Sequence, residues 1–141
     1  MTHECEQVVQ ARGHEHVSAE HASTFELTSD DWLTPAGDCI LAVEADRTPA
    51  DFDEAFVTAC QDADAHITVT FEAAGVEDVV EGRGHPDLTF ADDRSLVGRT
   101  SDYVDERTVL INANKAAADL DRKLVTALAR GAPLTVTFRV D

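Results

Sequence analysis

Histidines, one thiol and a few cations placed at turns are the residues able to do chemistry here. His14, His16 and His21 crowd one stretch, and His85 stands in a second Gly-His pair. An imidazole changes charge near neutral pH, so His14 or His21 beside Asp38 would make an acid–base pair. His14, His21 and Asp38 are therefore the catalytic candidates. Cys39 follows Asp38, and a thiolate next to a base is a nucleophile. Against this, the Asp38 charge would raise the thiol pKa, and Ile40-Leu41 predict burial. Cys39 reads first as a core cysteine. No metal is assigned, since there is neither a Cys-x-x-Cys nor a helical His-x-x-x-His pair. Nothing in the chain names a cofactor.

Two strand ends run straight into helices, at Asp46-Arg47 and at Asn114-Lys115. A helix N-terminus presents free N–H groups, and an adjacent cation strengthens it as an anion site. The ligand-binding candidates are thus Asp46, Arg47, Asn114 and Lys115, with Arg12, Glu26, Cys39 and His85 around the Gly-His turns. The plainer reading stands beside it: Asp46 and Asn114 end strands while Arg47 and Lys115 are solvated. No glycine-rich phosphate loop supports the anion site. In the same way, His14 and His85 each follow a glycine, where an imidazole often bonds local backbone.

The elements that must position these residues occur twice. Val8-Val9-Gln10-Ala11-Arg12-Gly13-His14 returns as Val79-Val80-Glu81-Gly82-Arg83-Gly84-His85, and Thr68-Val69-Thr70-Phe71 returns as Thr135-Val136-Thr137-Phe138. Ala50-Asp51-Phe52-Asp53 likewise matches Ala118-Asp119-Leu120-Asp121. In the first half, strands are predicted over Cys5–Gly13, Val17–Thr28 and Cys39–Ala45, the last buried on both faces or central. A helix then starts with Thr48 as N-cap and Pro49 at its first position, burying Phe52, Phe56, Ala59 and Cys60. His66–Glu72 alternates as a half-buried strand.

The second half predicts strands over Val79–Gly84, Leu88–Thr100 and Thr108–Ala113. It continues with a helix over Ala116–Arg130, stopped by Gly131, and a strand ending in Phe138 and Val140. Leu88–Thr100 is interrupted at Asp92-Asp93-Arg94. Each half reads β-β-β-α-β, with repeats at about 5–73 and 77–141 and a linker at Ala73–Asp78. The expected fold is α+β. The two repeats would fuse into one pseudo-two-fold domain with a mostly antiparallel sheet or barrel-like core and two helices packed on it. Only the first half has the long loop Ser29–Asp38, where Trp32 would plug the open end of the core.

Composition excludes some functions. The chain has 141 residues and a net charge of −17, with 28 acidic residues against 11 Lys and Arg. Apolar residues make up 43%, enough for a packed core rather than disorder. Acidity with only two lysines, Lys115 and Lys123, resembles a salt-adapted haloarchaeal proteome. It disfavours a nucleic-acid surface, which needs cations to displace counterions. No apolar run approaches the ~20 residues that span a bilayer, so no membrane partner is expected. The first residues carry no secretory pattern, and three scattered cysteines fit a reducing cytoplasm.

Larger blocks carry a resemblance. Arg12-Gly13-His14, His21, Ser23-Thr24, Glu26, Thr28 and Leu33-Thr34-Pro35-Ala36-Gly37-Asp38-Cys39-Ile40 form one set. Gly82-Arg83-Gly84-His85-Pro86 and Asn114-Lys115-Ala116-Ala117-Ala118-Asp119-Leu120-Asp121 form another. Over nearly the whole chain this resembles an archaeal family known as domain of unknown function 371. The resemblance implies no activity. The family pattern has a lysine after the second-strand histidine, where this chain has Ala22, so it lends no amine there.

The leading functional expectation is a cytoplasmic protein or enzyme for a small anionic molecule. Its site would lie between Gly13–Glu26, Gly37–Cys39 and the turns at Asp46 and Asn114. The competing class is an RNA- or protein-binding module using Thr68, Thr70, Thr135 and Thr137, with RNA disfavoured by net charge. A structural accessory subunit is the third. The small-ligand reading predicts that His14→Ala or Asp38→Asn removes ligand-induced thermal stabilisation and leaves the fold intact. The RNA reading predicts binding that falls steeply with salt and needs Arg12, Arg83 or Lys115.

Overall fold

A computed structural model of the chain describes residues 6–141. Cys5, expected to begin the first strand, lies outside the described residues. The strands of the first half are β1 (Glu6–Arg12), β2 (Thr24–Thr28), β3 (Ile40–Ala42) and β4 (His66–Ala73), with helix α1 (Glu54–Cys60) before β4. The second half runs β5 (Val76–Arg83), β6 (Ser95–Arg99), β7 (Thr108–Leu110), α2 (Arg122–Ala129) and β8 (Pro133–Val140). The architecture is mixed α+β, and the order β-β-β-α-β occurs in both halves.

The core is neither one large sheet nor a barrel. It is two four-stranded sheets, ordered β1-β8-β4-β5 and β3-β2-β6-β7. Each sheet takes two strands from each half. Pairing is antiparallel except at β2–β3 and β6–β7, which are parallel. The central pairs, β4 with β8 and β2 with β6, join the halves. Alternation in β4 and β8 does what the pattern requires. Ile67, Val69, Phe71, Leu134, Val136, Phe138 and Val140 are buried, while Thr68, Thr70, Thr135 and Thr137 are half-exposed. Across the gap, Phe25 of β2 meets Phe71 edge-on with ring centroids 5.3 Å apart. Phe52 contacts Phe56, Phe90 and Phe138 in a second aromatic cluster.

Several expected boundaries move. The linker at Ala73–Asp78 is a tight hairpin: Ala74 and Gly75 both have positive φ, 52° and 78°, as a two-residue turn between twisted strands demands. The second strand begins at Thr24 instead of Val17, and its counterpart at Ser95 instead of Leu88. The third strand keeps Leu41 and Ala42 fully buried but lies at a sheet edge, where α2 packs against it.

Each predicted helix is split in two. A 3-10 turn over Pro49–Asp51 ends in extended Phe52, and α1 starts afresh with Asp53 as its N-cap. Ala117–Asp119 and α2 repeat this, with Leu120 extended and Asp121 as cap. The physical reason is the Asp-x-Asp spacing. The Asp51 carboxylate accepts from the Thr48 N–H (2.9 Å) and hydroxyl (3.0 Å), closing the short turn. The Asp119 carboxylate accepts from the Ala116 N–H at 2.9 Å. The following Asp then opens the α-helix, and Asp121 accepts from the Lys123 N–H at 2.8 Å. Phe52, Phe56 and Cys60 are buried as expected, but Ala59 is exposed. Gly131, with φ 83°, ends α2 as expected.

The Gly-His turns lock the halves together. A Cβ on Gly13 would stand 1.9 Å from the carbonyl oxygen of Leu128 in α2, and one on Gly84 would stand 2.2 Å from that of Cys60 in α1. Each turn thus lies against the end of the other half's helix. Gly13→Ala and Gly84→Ala should each destabilise by about 1–3 kcal/mol or more, since backbone must move. Gly75→Ala, whose Cβ would meet nothing within 4 Å, should cost only about 1 kcal/mol, from its left-handed backbone. Chemical denaturation of the three variants checks this, and equal losses would contradict it.

Candidate functional site

The histidines at the turns are bound to backbone. His14 Nδ1 accepts from the His16 N–H at 3.1 Å, and His85 Nδ1 from the Asp87 N–H at 2.9 Å. His21 Nδ1 accepts from the Ser23 and Thr24 N–H groups at 3.3 and 3.1 Å. Its counterpart is Asp92, whose carboxylate accepts from the Arg94 and Ser95 N–H groups at 3.0 and 2.7 Å. An imidazole and a carboxylate thus do the same turn-closing work in the two halves. A ring nitrogen that accepts in this way is occupied, which leaves Nε2 as the free edge.

The strand-to-helix junctions are also internally matched. Asp46 Oδ1 accepts from the Gln10 N–H at 2.8 Å, and Asn114 Oδ1 from the Glu81 N–H at 2.9 Å. Arg47 donates to the Gln7 side chain, to the Val8 carbonyl (3.2 Å) and to the Asp51 carbonyl (3.0 Å). Lys115 Nζ lies 2.5 Å from Asp78 Oδ1. Gln7 and Asp78 occupy matching strand positions, and each also accepts the N–H of a helix N-cap, Asp53 at 3.1 Å and Asp121 at 2.8 Å. Each cation ties the first strand of its half to the start of its helix. The solvated-cation reading is therefore replaced by a clip.

The remaining candidates are dispersed. Arg12 pairs with Glu44. His14 lines an open hollow of about 300 Å³ with Arg12, Glu15, Asp31 and the end of α2; His21, Asp38 and Lys115 are not among its lining residues. Asp38 meets His21 only through backbone, its carbonyl accepting the Glu20 and His21 N–H groups at 3.0 and 3.3 Å. Cys39 is half-buried and donates to Glu26 Oε1 at 3.5 Å. Burial, and then the Glu26 charge, push its thiol up to about 11. The repelling carboxylate is Glu26 rather than Asp38. Burial pushes the Cys60 thiol up to about 12. Neither thiol is an activated nucleophile. Among the described residues, no three His, Cys, Asp or Glu side chains group as metal ligands.

A cleft of about 310 Å³ lies on the outer face of the β3-β2-β6-β7 sheet. Phe25 and Leu27 of β2 point into the core, so Glu26 and Thr28 point out. They form the floor with Ile40 of β3 and Ser95 of β6, and the walls are Asp30, Trp32, Asp92, Arg94 and Arg107. Trp32 does not plug the core: it is 55% exposed, because Leu33 fills the interior instead. Arg94 Nε and Nη2 both donate to Asp30 Oδ2, at 2.9 and 2.6 Å, and this guanidinium holds the Asp30 carboxyl below its ordinary range.

Arg107 touches Asp105 only loosely, at 3.4 Å. That carboxylate already serves buried Arg99, Thr108 and the Arg107 N–H. Of the sequence candidates, only Glu26 lines the cleft. Trp32 and the break at Asp92-Asp93-Arg94 were its visible signals. Arg107 had none.

The chain matches the family model described as Domain of unknown function (DUF371) over residues 9–141. It is 41% identical over 127 residues to an uncharacterised protein of Methanocaldococcus jannaschii, a match covering 90% of this chain and 93% of that relative. Neither description assigns an activity. No helix among the described residues is long and apolar enough to cross a membrane.

The Asp78 clip makes stability depend on pH. Burial alone would raise the Asp78 pKa, but the Lys115 ammonium and the Asp121 and Val79 N–H groups outweigh it and hold the carboxyl below its ordinary value. A carboxylate lowered on folding stabilises above its unfolded pKa, and that contribution disappears as pH falls through the folded value. Asp78→Asn should therefore be less stable than wild type at pH 7, with the gap closing below about pH 4. Denaturant melts across that range read it out. A gap that persists unchanged at low pH would show that the ion pair contributes nothing.

Proposed function

The chain belongs to the DUF371 family, and for it we propose a small-molecule binding role centred on the cleft over β2 and β6. The observation that carries this is Trp32, the chain's one tryptophan, left 55% exposed above a polar cleft. An aromatic ring of that size is costly to leave in water and effective against a ligand. Arg107, loosely held, supplies the anion-binding group that the helix starts, with their cations engaged, do not. The half-buried Glu26 faces the same space. High thiol pKa values disfavour nucleophilic chemistry, and among the described residues no histidine lines the cleft, which favours binding there over histidine-based chemistry.

The paired registers of the two halves support a duplication around a pseudo-two-fold axis. The cleft draws on both copies, with Thr28 and Ser95 directly opposite one another. The acidity is read as adaptation to concentrated salt, in a reducing cytoplasm where Cys39 and Cys60 stay free. An RNA module on the β1-β8-β4-β5 sheet is the weaker reading. Its threonine face also carries Glu72, Glu77 and Glu81, which repel phosphate.

Tryptophan fluorescence reads occupancy of this cleft directly. Titration with nucleoside monophosphates and small carboxylates in concentrated KCl should give a saturable change with at least one of them. Arg107→Ala should weaken it about tenfold, as expected for one charge-assisted contact. If a ligand binds and Arg107→Ala leaves its affinity unchanged, the anion-binding role fails.

A further inference from the structure

The second half shows what the first half's cleft is shaped to hold. β2 and β6 pair so that Thr24 faces Arg99 and Thr28 faces Ser95. Each strand then pairs in parallel with a third strand, at Glu26–Ile40 and at Val97–Thr108. Thr28 and Arg99 therefore occupy corresponding places, and an exposed aromatic follows each by four residues: Trp32, 55% exposed, and Tyr103, 59%.

In the second half the space beneath the aromatic is filled. The Arg99 guanidinium carbon lies 4.8 Å from the centre of the Tyr103 ring. Its Nε donates to Thr108 Oγ1 at 2.9 Å and its Nη2 to Asp105 Oδ2 at 3.1 Å. In the first half the short Thr28 side chain leaves that space open, and both Thr28 and Trp32 line the cleft. There Glu26 stands where the second half has the apolar Val97.

The charges of the cleft are unevenly matched. Asp30 is paired with Arg94, and Asp92 accepts two backbone N–H groups. Among the described contacts, the Glu26 carboxylate has only the weak Cys39 thiol at 3.5 Å. Arg94, already paired with Asp30, acts on Glu26 only at longer range, so an uncovered indole beside a carboxylate with no ion pair of its own is a complementary site for a planar cation.

We propose that this cleft binds a small molecule bearing a guanidinium or similar planar cation, stacked on Trp32 and paired with Glu26. It takes the place that Arg99 fills in the second half. Arg107 meets an anionic group on the same molecule, so the ligand class is a guanidino acid. This rests on the cleft being a binding site and specifies what binds there.

The probes are arginine, agmatine and guanidinium-free carboxylates, followed by Trp32 fluorescence in concentrated KCl. Arginine and agmatine should saturate the signal, with arginine the tighter because Arg107 engages its carboxylate. Glu26→Gln should weaken both about tenfold or more, the scale of a charge-assisted pair. Thr28→Arg, which copies the second half, should abolish the titration while melting cooperatively. If carboxylates bind and neither guanidinium compound does, the cation assignment is overturned and the cleft remains a site. Where guanidinium binding survives both variants, it lies elsewhere, and the cleft reading falls as well. Should no probe move the signal, the guanidinium proposal is overturned. If Thr28→Arg fails to fold, Glu26→Gln alone decides.

Discussion

Two carbonyl oxygens, those of Leu128 and Cys60, sit where the Cβ atoms of residues 13 and 84 would have to be. This exclusion joins the halves. It places the first strand of each half against the end of the other half's helix, and β1 beside β8 rather than beside its own β4. The Gly13 N–H donates to Ala132 and the Gly84 N–H to Ala65, fixing the same junctions by hydrogen bond. The Gly-His turns, the helix ends and the interleaved sheet are thus one constraint. A side chain larger than hydrogen at either position separates helix from strand.

Much of the element order was legible because the chain repeats itself. Alternation in His66–Glu72 and in Leu134–Val140 told inside from outside correctly. It does not tell which strand lies beside which, so two sheets were not distinguishable from one sheet or a barrel. Ser95–Arg99 is buried at every position, and such a strand has no period to find. The helices were visible by their apolar spacing, but their division lay in Asp51 with Asp53 and Asp119 with Asp121. Each pair looks like a single acidic first turn until its first carboxylate is seen to close the 3-10 turn while its second residue begins the α-helix.

The candidate site was less legible, for a physical reason. His14, His21 and His85 are reactive residue types in places that need only an acceptor. The clue lay in their alignment: His21 matches Asp92, and a position filled equally by imidazole and carboxylate asks for a lone pair. The cleft joins residues far apart in sequence, with Thr28 opposite Ser95 and Trp32 near Arg94 and Arg107. Arg99 shows the same limit in reverse. As a sequence it is one arginine among several. In the structure it is a cation 9% exposed that fills the second half's version of the cleft.

The junction bonds at Asp46 and Asn114 bear on how this protein behaves in a crowded solution. β1 and β5 are the outermost strands of their sheet, and such strands invite other chains to add on and polymerise. Here Arg12 and Arg83 exchange backbone bonds with Val43 and Ile111, while Gln10 and Glu81 accept the Asp46 and Asn114 N–H groups and donate to those residues' side chains. The later half of each edge strand is thus covered by the protein's own chain. This partial cover is built into the covalent path of the protein and persists in concentrated salt, where the repulsion of a −17 surface is screened.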